Sequence, residues 1–151
     1  YETETKVLKQ EIQYAKGLIT KKLNISENDK IIFIQRLRFI KGDPIVSVTN
    51  NIPYELCPKL IDENLEDKSL YKTLAKKYNI KPYKAEITLE PIVANEFDKK
   101  LLNIDEGSPM FLMKNITYTN ENIAIDYFES HFRGDKGKVK VELHNNIKPE
   151  F

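Results

Sequence analysis

One alternating apolar segment, interrupted by two arginines and followed at once by a second such segment, most constrains the fold of this chain. The first segment, 31–40, reads Ile-Ile-Phe-Ile-Gln-Arg-Leu-Arg-Phe-Ile, and Lys-Gly-Asp-Pro separates it from the second, 45–53. This pattern predicts an antiparallel hairpin over 30–53. Because side chains alternate between the faces of a strand, Arg36 and Arg38 share a face, roughly 6–7 Å apart. Two guanidinium groups at this spacing suit one phosphate or carboxylate, which each can hold bidentately.

The turn of this hairpin sets what lies opposite the arginines. Closure through Gly42-Asp43, or through the four residues 41–44, places Arg38 opposite Ser47 and Arg36 opposite Thr49. That face would carry two cations and two hydroxyls among isoleucines, which is typical of an anion pocket with apolar walls. The alternative is that both arginines pair with surface carboxylates on an exposed sheet face.

The rest of the chain alternates between short strands and short helices. The patterns predict an edge strand at 5–14, helices at 15–23, 70–78 and 94–102, a helical turn at 57–60, strands at 84–93, 110–118 and 123–133, and a last strand near 138–143. The sequence therefore predicts a single α+β domain, 1–151, built on an antiparallel sheet with short helices.

Two further polar residues are candidates for the same pocket. Asp126 shares a strand face with Phe128, Ser130 and Phe132, where it can accept hydrogen bonds from a sugar hydroxyl or an amide, or pair with one of the arginines. Ser69 precedes the helix at 70–78, and its hydroxyl can cap that helix or face an anion.

The bulk composition excludes several function classes. The 151 residues include 24 basic and 23 acidic side chains, for a net charge of +1, so the chain lacks the positive charge of a free-standing nucleic-acid binder. Its single cysteine, Cys57, fits a reducing compartment such as the cytoplasm. We find no metal-ligand spacing, no Gly-rich phosphate loop and no plausible Ser/His/Asp or Cys/His set. We therefore expect the chain to bind no metal and no cofactor and to catalyse no reaction.

Short fragments in a fixed order carry a family resemblance across about residues 6–143. They are Arg36-Leu-Arg38, Gly42-Asp-Pro44, Ile52-Pro53, Cys57-Pro58, Ser69-Leu-Tyr71, Leu101-Leu102, Gly107-Ser-Pro109, Tyr118 and Phe132-Arg-Gly-Asp135. In this order and spacing the chain resembles the effector-binding UTRA domain of bacterial GntR-family regulators of the HutC type.

The resemblance implies a chorismate-lyase-like fold, a small-molecule effector and a homodimer. In family members that sense sugar phosphates, the Arg-x-Arg pair holds the phosphate, which assigns Arg36 and Arg38 with support from Ser69 and from Ser47 or Thr49. The tyrosine of Ser-Leu-Tyr, here Tyr71, would line the sugar end. The full-length relatives bind operator DNA through an N-terminal winged helix-turn-helix domain, which we expect to lie outside this chain because the chain begins with Tyr1.

The chain departs from the family pattern at the end of the pocket away from the phosphate. Asp126 stands where the family often has Glu, and Phe132 stands where Tyr is common. A connecting stretch with Ser and Thr, which can supply phosphate ligands in relatives, is also expected to precede the chain. The alternatives to a phosphosugar sensor are a carboxylate or phosphonate sensor, a chorismate-lyase-like enzyme, and a pure dimerisation module.

Overall fold

Antiparallel strands form one six-stranded sheet in the computed structural model, which describes residues 3–136, 138 and 140. The elements are β1 (Thr3–Tyr14), α1 (Leu18–Leu23), β2 (Lys30–Ile40), β3 (Asp43–Pro53), two 3₁₀ turns (Tyr54–Leu56 and Pro58–Asp62), α2 (Leu70–Tyr78), β4 (Lys84–Val93), α3 (Glu96–Leu102), β5 (Pro109–Tyr118) and β6 (Ala124–Arg133). The strands lie in the order β1-β2-β3-β6-β5-β4. The predicted α+β class and the antiparallel sheet are confirmed.

The predicted register of the first hairpin is wrong by one residue. Lys41 and Gly42 form the turn and both have positive φ, which suits the right-handed twist of the flanking strands. A bulge then shifts the register between Arg38 and Phe39, so Arg38 pairs with Val46 and Arg36 with Val48. Because a slip of one residue moves each side chain of one strand to the other face, the partners of the arginines are valines rather than hydroxyl-bearing residues.

Ser47 and Thr49 consequently lie on the opposite sheet face from the arginines. Ser47 pairs with Leu37 and Thr49 with Gln35, which alternate with Arg36 along β2. The turn lies one position earlier than the two-residue turn Gly42-Asp43 considered from the sequence, and this shift together with the bulge accounts for the error.

Apolar clusters pack on both faces of the sheet. The face that carries Arg36 and Arg38, here called the α2 face, packs against α2 and the 3₁₀ turns. The buried cluster there consists of Ile32, Ile34, Ile52, Cys57, Leu60, Leu65, Leu70 and Leu74. The other face packs against α1 through one cluster that includes Leu23, Ile31 and Tyr127, and against α3 through another that includes Leu37, Leu102 and Met110. The sheet is therefore covered on both faces over its central strands.

Local sequence explains where the helices begin and end. Ser69 caps α2, as predicted, because its Oγ accepts a hydrogen bond from the Lys72 backbone N–H at 3.2 Å. Asn95 and Asp98 form a capping box at the start of α3. Each of the three α-helices described ends at an asparagine in the left-handed conformation, namely Asn24, Asn79 and Asn103.

The outer strand β4 is the least covered element. Nearly all of its residues are exposed, including Ile87, Leu89 and Val93, and among the described strands it pairs only with β5. The last predicted strand, 138–143, lies outside the described residues except for positions 138 and 140.

Candidate functional site

A cavity of about 380 Å³ opens on the α2 face between the strands and the segment that leads into α2. Its size falls in the usual range for small-molecule sites. Thirteen residues line it: Thr3, Thr5, Arg36, Arg38, Val48, Asn50, Asp67, Lys68, Ser69, Leu70, Tyr71, Phe128 and Ser130. The lining thus combines two arginines and several hydroxyls with a few apolar side chains, which is the composition of a polar-ligand site.

Arg36 and Arg38 occupy one wall of this cavity and differ in how firmly they are held. Arg36 is half-buried, and its Nη1 donates a hydrogen bond to the Lys68 carbonyl oxygen at 3.0 Å. Arg38 is more exposed. Neither arginine forms an ion pair in the part of the chain that the structure describes. Both arginines thus line the same cavity, as does Asp67, and no ion pair with a described carboxylate neutralises either of them.

Electrostatics around Arg36 follow from its burial. Burial lowers the pKa of its guanidinium, the charge of Asp126 opposes that change, and the neighbouring charge of Arg38 adds to it. The Arg36 group stays protonated at neutral pH because the pKa of arginine starts so high. Its Nε is buried without a hydrogen-bond partner among the described residues. An anion in the cavity would gain this unused donor if a shift of the Arg36 side chain uncovered Nε.

Ser69 caps α2 as predicted, and its predicted role toward an anion stays a prediction. Its Oγ accepts the capping hydrogen bond of α2, and the residue also lines the cavity. A hydroxyl that accepts one bond still has its own O–H to donate. The serine hydroxyl and the first turn of α2 can therefore offer donors to the cavity that the arginines also line.

A buried hydrogen-bond network lies beside the cavity on the same face. The Tyr71 hydroxyl donates to Oδ2 of Asp126 at 2.6 Å, and Asn50 Nδ2 donates to the same oxygen at 2.8 Å. Thr117 Oγ1 lies 2.9 Å from the Tyr71 hydroxyl and accepts a bond from Asn115 Nδ2 at 2.7 Å. The pairing of β3 with β6, and of β6 with β5, brings these residues from distant parts of the sequence together.

Asp126 is the most perturbed acid of this network. Burial raises its pKa to about 7, although the hydrogen bonds from Tyr71 and Asn50, the Asn51 backbone N–H and the charge of Arg36 all lower it. The same burial, with the carboxyl alongside, raises the pKa of Tyr71, so that phenol remains a donor at every physiological pH. The Asp126 side chain has no exposed surface and does not line the cavity.

The structure therefore brings together some of the predicted site residues and separates others. Arg36, Arg38, Ser69 and Tyr71 line one cavity. Asp126 lies beneath Tyr71 rather than at the cavity surface. Ser47 and Thr49 lie on the other sheet face, because β3 pairs with β2 one residue away from the predicted register. Phe132 shares the face of Asp126 but does not line the cavity.

Six polar lining residues were missed in the sequence analysis as site candidates: Thr3, Thr5, Asn50, Asp67, Lys68 and Ser130. Thr3 and Thr5 stand at the start of β1, a segment that we took only as an edge strand. Asn50 follows from the corrected register of β3, which places it on the face of the arginines. Ser130 was already on the strand face of Asp126, and only the pairing of β6 with β3 places it opposite Val48 in the cavity.

The remaining reactive residue types do not converge on the cavity. Nδ1 of His131 lies 2.9 Å from Oδ1 of Asp98, on the sheet face that packs against α3. Burial raises the pKa of Cys57 to about 11, which keeps it an unreactive thiol in the core. Among residues 3–136, 138 and 140, no group of three metal-ligating side chains converges, and none of the helices is long and apolar enough to cross a bilayer.

Comparison with known families and proteins places the chain among effector domains. The sequence model of the UTRA domain matches residues 1–138. HTH-type transcriptional repressor NagR of Bacillus subtilis (strain 168) is 29% identical over 103 residues, 68% of this chain and 42% of that protein. HTH-type transcriptional regulator GmuR of the same organism is 23% identical over 133 residues, 88% of this chain and 56% of that protein. A probable fructoselysine utilization operon transcriptional repressor of Escherichia coli (strain K12) is 21% identical over 140 residues, 93% of this chain and 57% of that protein. The chain thus spans about half the length of these relatives.

Solved structures share the same fold. The effector domain of PhnF from Mycobacterium smegmatis superposes with a TM-score of 0.88 at 20% identity, covering 95% of this chain and 88% of that one. A GntR-family transcriptional regulator from Enterococcus faecalis V583 superposes with a TM-score of 0.82 at 21% identity, covering 92% of this chain and 99% of that one. These likenesses establish the architecture.

Proposed function

This chain belongs to the UTRA domain family, and on that premise we propose that it is the ligand-sensing domain of a GntR/HutC-type transcriptional regulator whose effector is a sugar phosphate. One observation carries the proposal: Arg36 and Arg38 share a wall of a cavity of about 380 Å³ and have no ion-pair partner in the described residues. An unpaired pair of guanidinium groups in a concave, partly apolar site favours an anion with two or more acceptor oxygens.

The rest of the cavity supports a sugar as the uncharged part of the effector. Hydroxyls of Thr3, Thr5 and Ser130 and the amide of Asn50 line it along with Phe128. Such a mixture matches a ligand with several hydroxyls on a carbon skeleton better than a fully apolar carboxylate. The relative from Escherichia coli is named for fructoselysine utilization, and fructoselysine is a sugar derivative, which also supports this choice.

The regulatory part of the proposal concerns a larger protein than this chain. We assign the binding of operator DNA to an N-terminal helix-turn-helix domain outside these residues, as in the regulators that the chain resembles. We also place the protein in the cytoplasm. The effector must favour one arrangement of the two domains, since a ligand with equal affinity for both arrangements shifts nothing. A coupling free energy of about 1–3 kcal/mol would change the affinity for DNA by a factor between about five and about a hundred.

A homodimer forms part of the same proposal, and the outer strand β4 is the surface that we assign to it. The edge of β4 that pairs with no described strand, and its exposed Ile87 and Leu89, would be covered by β4 of a second copy. Antiparallel pairing centred on Ile87 puts Lys84 opposite Glu90 at both ends of the pair, so the charges are complementary. A symmetric dimer would present two DNA-binding domains to a palindromic operator.

Isothermal titration calorimetry on the domain tests the effector class. We expect hexose 6-phosphates to bind, and expect the unphosphorylated hexoses and hexuronic acids to bind far more weakly. Changing Arg36→Gln or Arg38→Gln should weaken binding about ten- to a hundredfold, because each removes a hydrogen-bonded charge. Lys21→Gln, which removes an exposed cation from α1 on the other side of the sheet, is the control. Binding of the double arginine variant at wild-type affinity would refute the assignment.

Two further arms of this experiment separate the alternatives. Tighter binding of hexuronic acids than of hexose phosphates would make the domain a carboxylate sensor. Incubation with chorismate, followed by assay for 4-hydroxybenzoate and pyruvate, tests a lyase activity, and formation of these products would replace the sensor by an enzyme. We expect no product, because Asp126 and His131 lie away from the cavity surface, and Asp67, which does line it, already accepts a hydrogen bond from the Thr5 backbone.

A further inference from the structure

Three buried polar atoms lack hydrogen-bond partners in the described part of the chain, and all three belong to residues of the cavity wall or of the network beside it. They are Arg36 Nε, Asn50 Oδ1 and Asp126 Oδ1. Nearly all buried polar atoms in native proteins are paired, and an unpaired one is costly, so each exception requires an explanation. Since Arg36 and Asn50 line the cavity, a ligand that uncovers these buried atoms as it enters is the simplest partner for them.

The orientation of the Asn50 amide is fixed by its neighbour. Asn50 Nδ2 donates to Asp126 Oδ2 at 2.8 Å, and Tyr71 donates to the same oxygen at 2.6 Å. When Asp126 is ionised, which is the major form above about pH 7, its carboxylate only accepts hydrogen bonds, so the NH₂ group of the amide faces it and the amide oxygen faces the other way. Asn50 therefore offers a pure acceptor that cannot turn into a donor without breaking the bond to Asp126.

The hydrogen bonds among Asn115, Thr117, Tyr71 and Asp126 all run from donor to acceptor toward the Asp126 carboxyl. Asn115 Nδ2 can only donate, so the hydroxyl of Thr117 that accepts from it directs its own proton toward Tyr71, whose proton is committed to Asp126. Donors thus run from both sides toward the single carboxyl. Asp126 and Tyr71 act on Asn50 as positioning residues.

The register of β3 gives the distance between this acceptor and the anion site. Arg38 pairs with Val46 and Arg36 with Val48, and Asn50 is the next residue of β3 on the same face. Residues two apart on a strand are about 7 Å apart, so the acceptor lies about one such step beyond Arg36. A phosphate and a hydroxyl or amine on one short carbon skeleton span this distance.

We propose that Asn50 is a specificity-determining residue that accepts a hydrogen bond from a hydroxyl or amino group of the effector, while Arg36 and Arg38 hold its phosphate. This inference rests on the proposed anion site and adds the chemical requirement at the other end. The site selects phosphate esters of polyols, sugars or amino sugars, and it discriminates against alkyl phosphates of the same length. Such discrimination arises because an alkyl chain in the cavity leaves the amide oxygen unpaired.

Two probes with the same carbon count test this requirement by isothermal titration calorimetry: sorbitol 6-phosphate, which has hydroxyls along its chain, and hexyl phosphate, which has none. In Asn50→Leu we expect the affinity for sorbitol 6-phosphate to fall about three- to tenfold, the contribution of one hydrogen bond, and the affinity for hexyl phosphate not to fall. Asn120→Leu, in the exposed turn between β5 and β6, is the control and should leave both affinities as in the wild type.

A second variant tests whether misfolding accounts for a loss of binding in Asn50→Leu, because that substitution removes a hydrogen-bond donor from a buried carboxyl. In the double variant Asn50→Leu, Asp126→Leu, both partners are replaced by apolar groups of similar shape, which folded proteins tolerate better. It should give the same loss for sorbitol 6-phosphate. An unchanged affinity for sorbitol 6-phosphate, or an equal loss for both probes, overturns the role of Asn50 alone. If neither probe binds the wild-type domain, the anion site fails and this inference fails with it.

Discussion

Asp67 holds the backbone of Thr5 from two directions. Its Oδ1 accepts a hydrogen bond from the Thr5 backbone N–H at 2.7 Å, and its own backbone N–H donates to the Thr5 carbonyl oxygen at 3.1 Å. Both residues line the cavity, and Thr5 stands near the start of β1, the end of the chain that leads toward the DNA-binding domain in the proposed regulator. This pair therefore ties the loop before α2 to the first strand across the cavity wall.

We expect Asp67→Ala to destabilise the domain by about 1 kcal/mol and to weaken hexose phosphate binding. The substitution removes the side-chain hydrogen bond to Thr5, and it places alanine at φ +55°, a conformation that alanine adopts unfavourably. Urea unfolding measures the loss of stability, and calorimetry measures the loss of binding. Asp67→Asn is the matched control, since its amide oxygen can accept the same bond and asparagine tolerates a left-handed backbone. Equal behaviour of the two variants would contradict a role for the side-chain bond.

The two arginines should respond differently to replacement by lysine. Arg36 is half-buried and donates a hydrogen bond to the Lys68 carbonyl, so Arg36→Lys loses both that bond and the planar guanidinium group. Arg38 is exposed and has no such bond in the described residues, so lysine can replace its charge more readily. We expect about a tenfold loss of hexose phosphate affinity for Arg36→Lys and about a threefold loss for Arg38→Lys. Calorimetry on both variants decides, and a larger loss at position 38 would contradict this order.

Much of the architecture could be predicted because its determinants are local. The boundaries of α2 and β4 matched the prediction, since an N-cap serine and an alternating strand are signals within a few residues. Arg36 and Arg38 share a face and a cavity for the same reason, because alternation along one strand needs no knowledge of its partner.

The errors all concern relations between strands. The position of Ser47 depended on the turn and on a bulge after Arg38, neither of which the residue pattern fixes, because Lys41 is not a residue that marks a left-handed turn position. The burial of Asp126 depended on Tyr71, which lies far from it in sequence and reaches it only through the packing of α2 on the sheet. The role of Thr3 and Thr5 at the cavity likewise depended on which sheet edge β1 occupies.

The stability of the domain should fall as pH rises from about 4 to about 7, and Asp126 should be the cause. Its pKa is 3.8 in an unfolded chain and about 7 in the fold, so the folded state binds the extra proton between these values. The stabilisation is fully present below pH 4 and is lost as pH rises through 7, and a gap of this size corresponds to at most about 4 kcal/mol.

Comparison with Asp126→Asn isolates this contribution, because asparagine keeps an acceptor for Tyr71 and Asn50 but does not titrate. Urea unfolding of both proteins between pH 4 and pH 8 gives the free energy of unfolding at each pH. The wild type minus variant difference should decline across the window. A difference that stays constant with pH would show that the carboxyl titrates alike in both states.

Removal of the Tyr71 hydroxyl should raise the pKa of Asp126 further. That hydroxyl donates the shortest hydrogen bond that the carboxyl receives, at 2.6 Å, and the bond lowers the pKa of Asp126. Tyr71→Phe should therefore cost about 1.5–3 kcal/mol at pH 8, where the carboxylate loses a donor, and less at pH 5. Carbon-13 NMR of the side-chain carboxyl gives the pKa directly. Tyr54→Phe, in the same apolar cluster, is the control, and an Asp126 pKa that stays near 7 in Tyr71→Phe would contradict the network.

The outer strand β4 provides the last prediction, on assembly. If two copies pair through this strand, Ile87→Arg places two like charges at the centre of the pair, because Ile87 faces its own counterpart there. We expect the variant to be a monomer in sedimentation velocity at concentrations where the wild type is a dimer. The thermal midpoint of the variant monomer should be nearly the same as that of a wild-type monomer, since the Ile87 side chain is 57% exposed. Thr88→Lys, on the other face of the same exposed strand, is the control, and its dimer should persist. A wild-type domain that sediments as a monomer, or a dimer that survives Ile87→Arg, would move the interface away from β4.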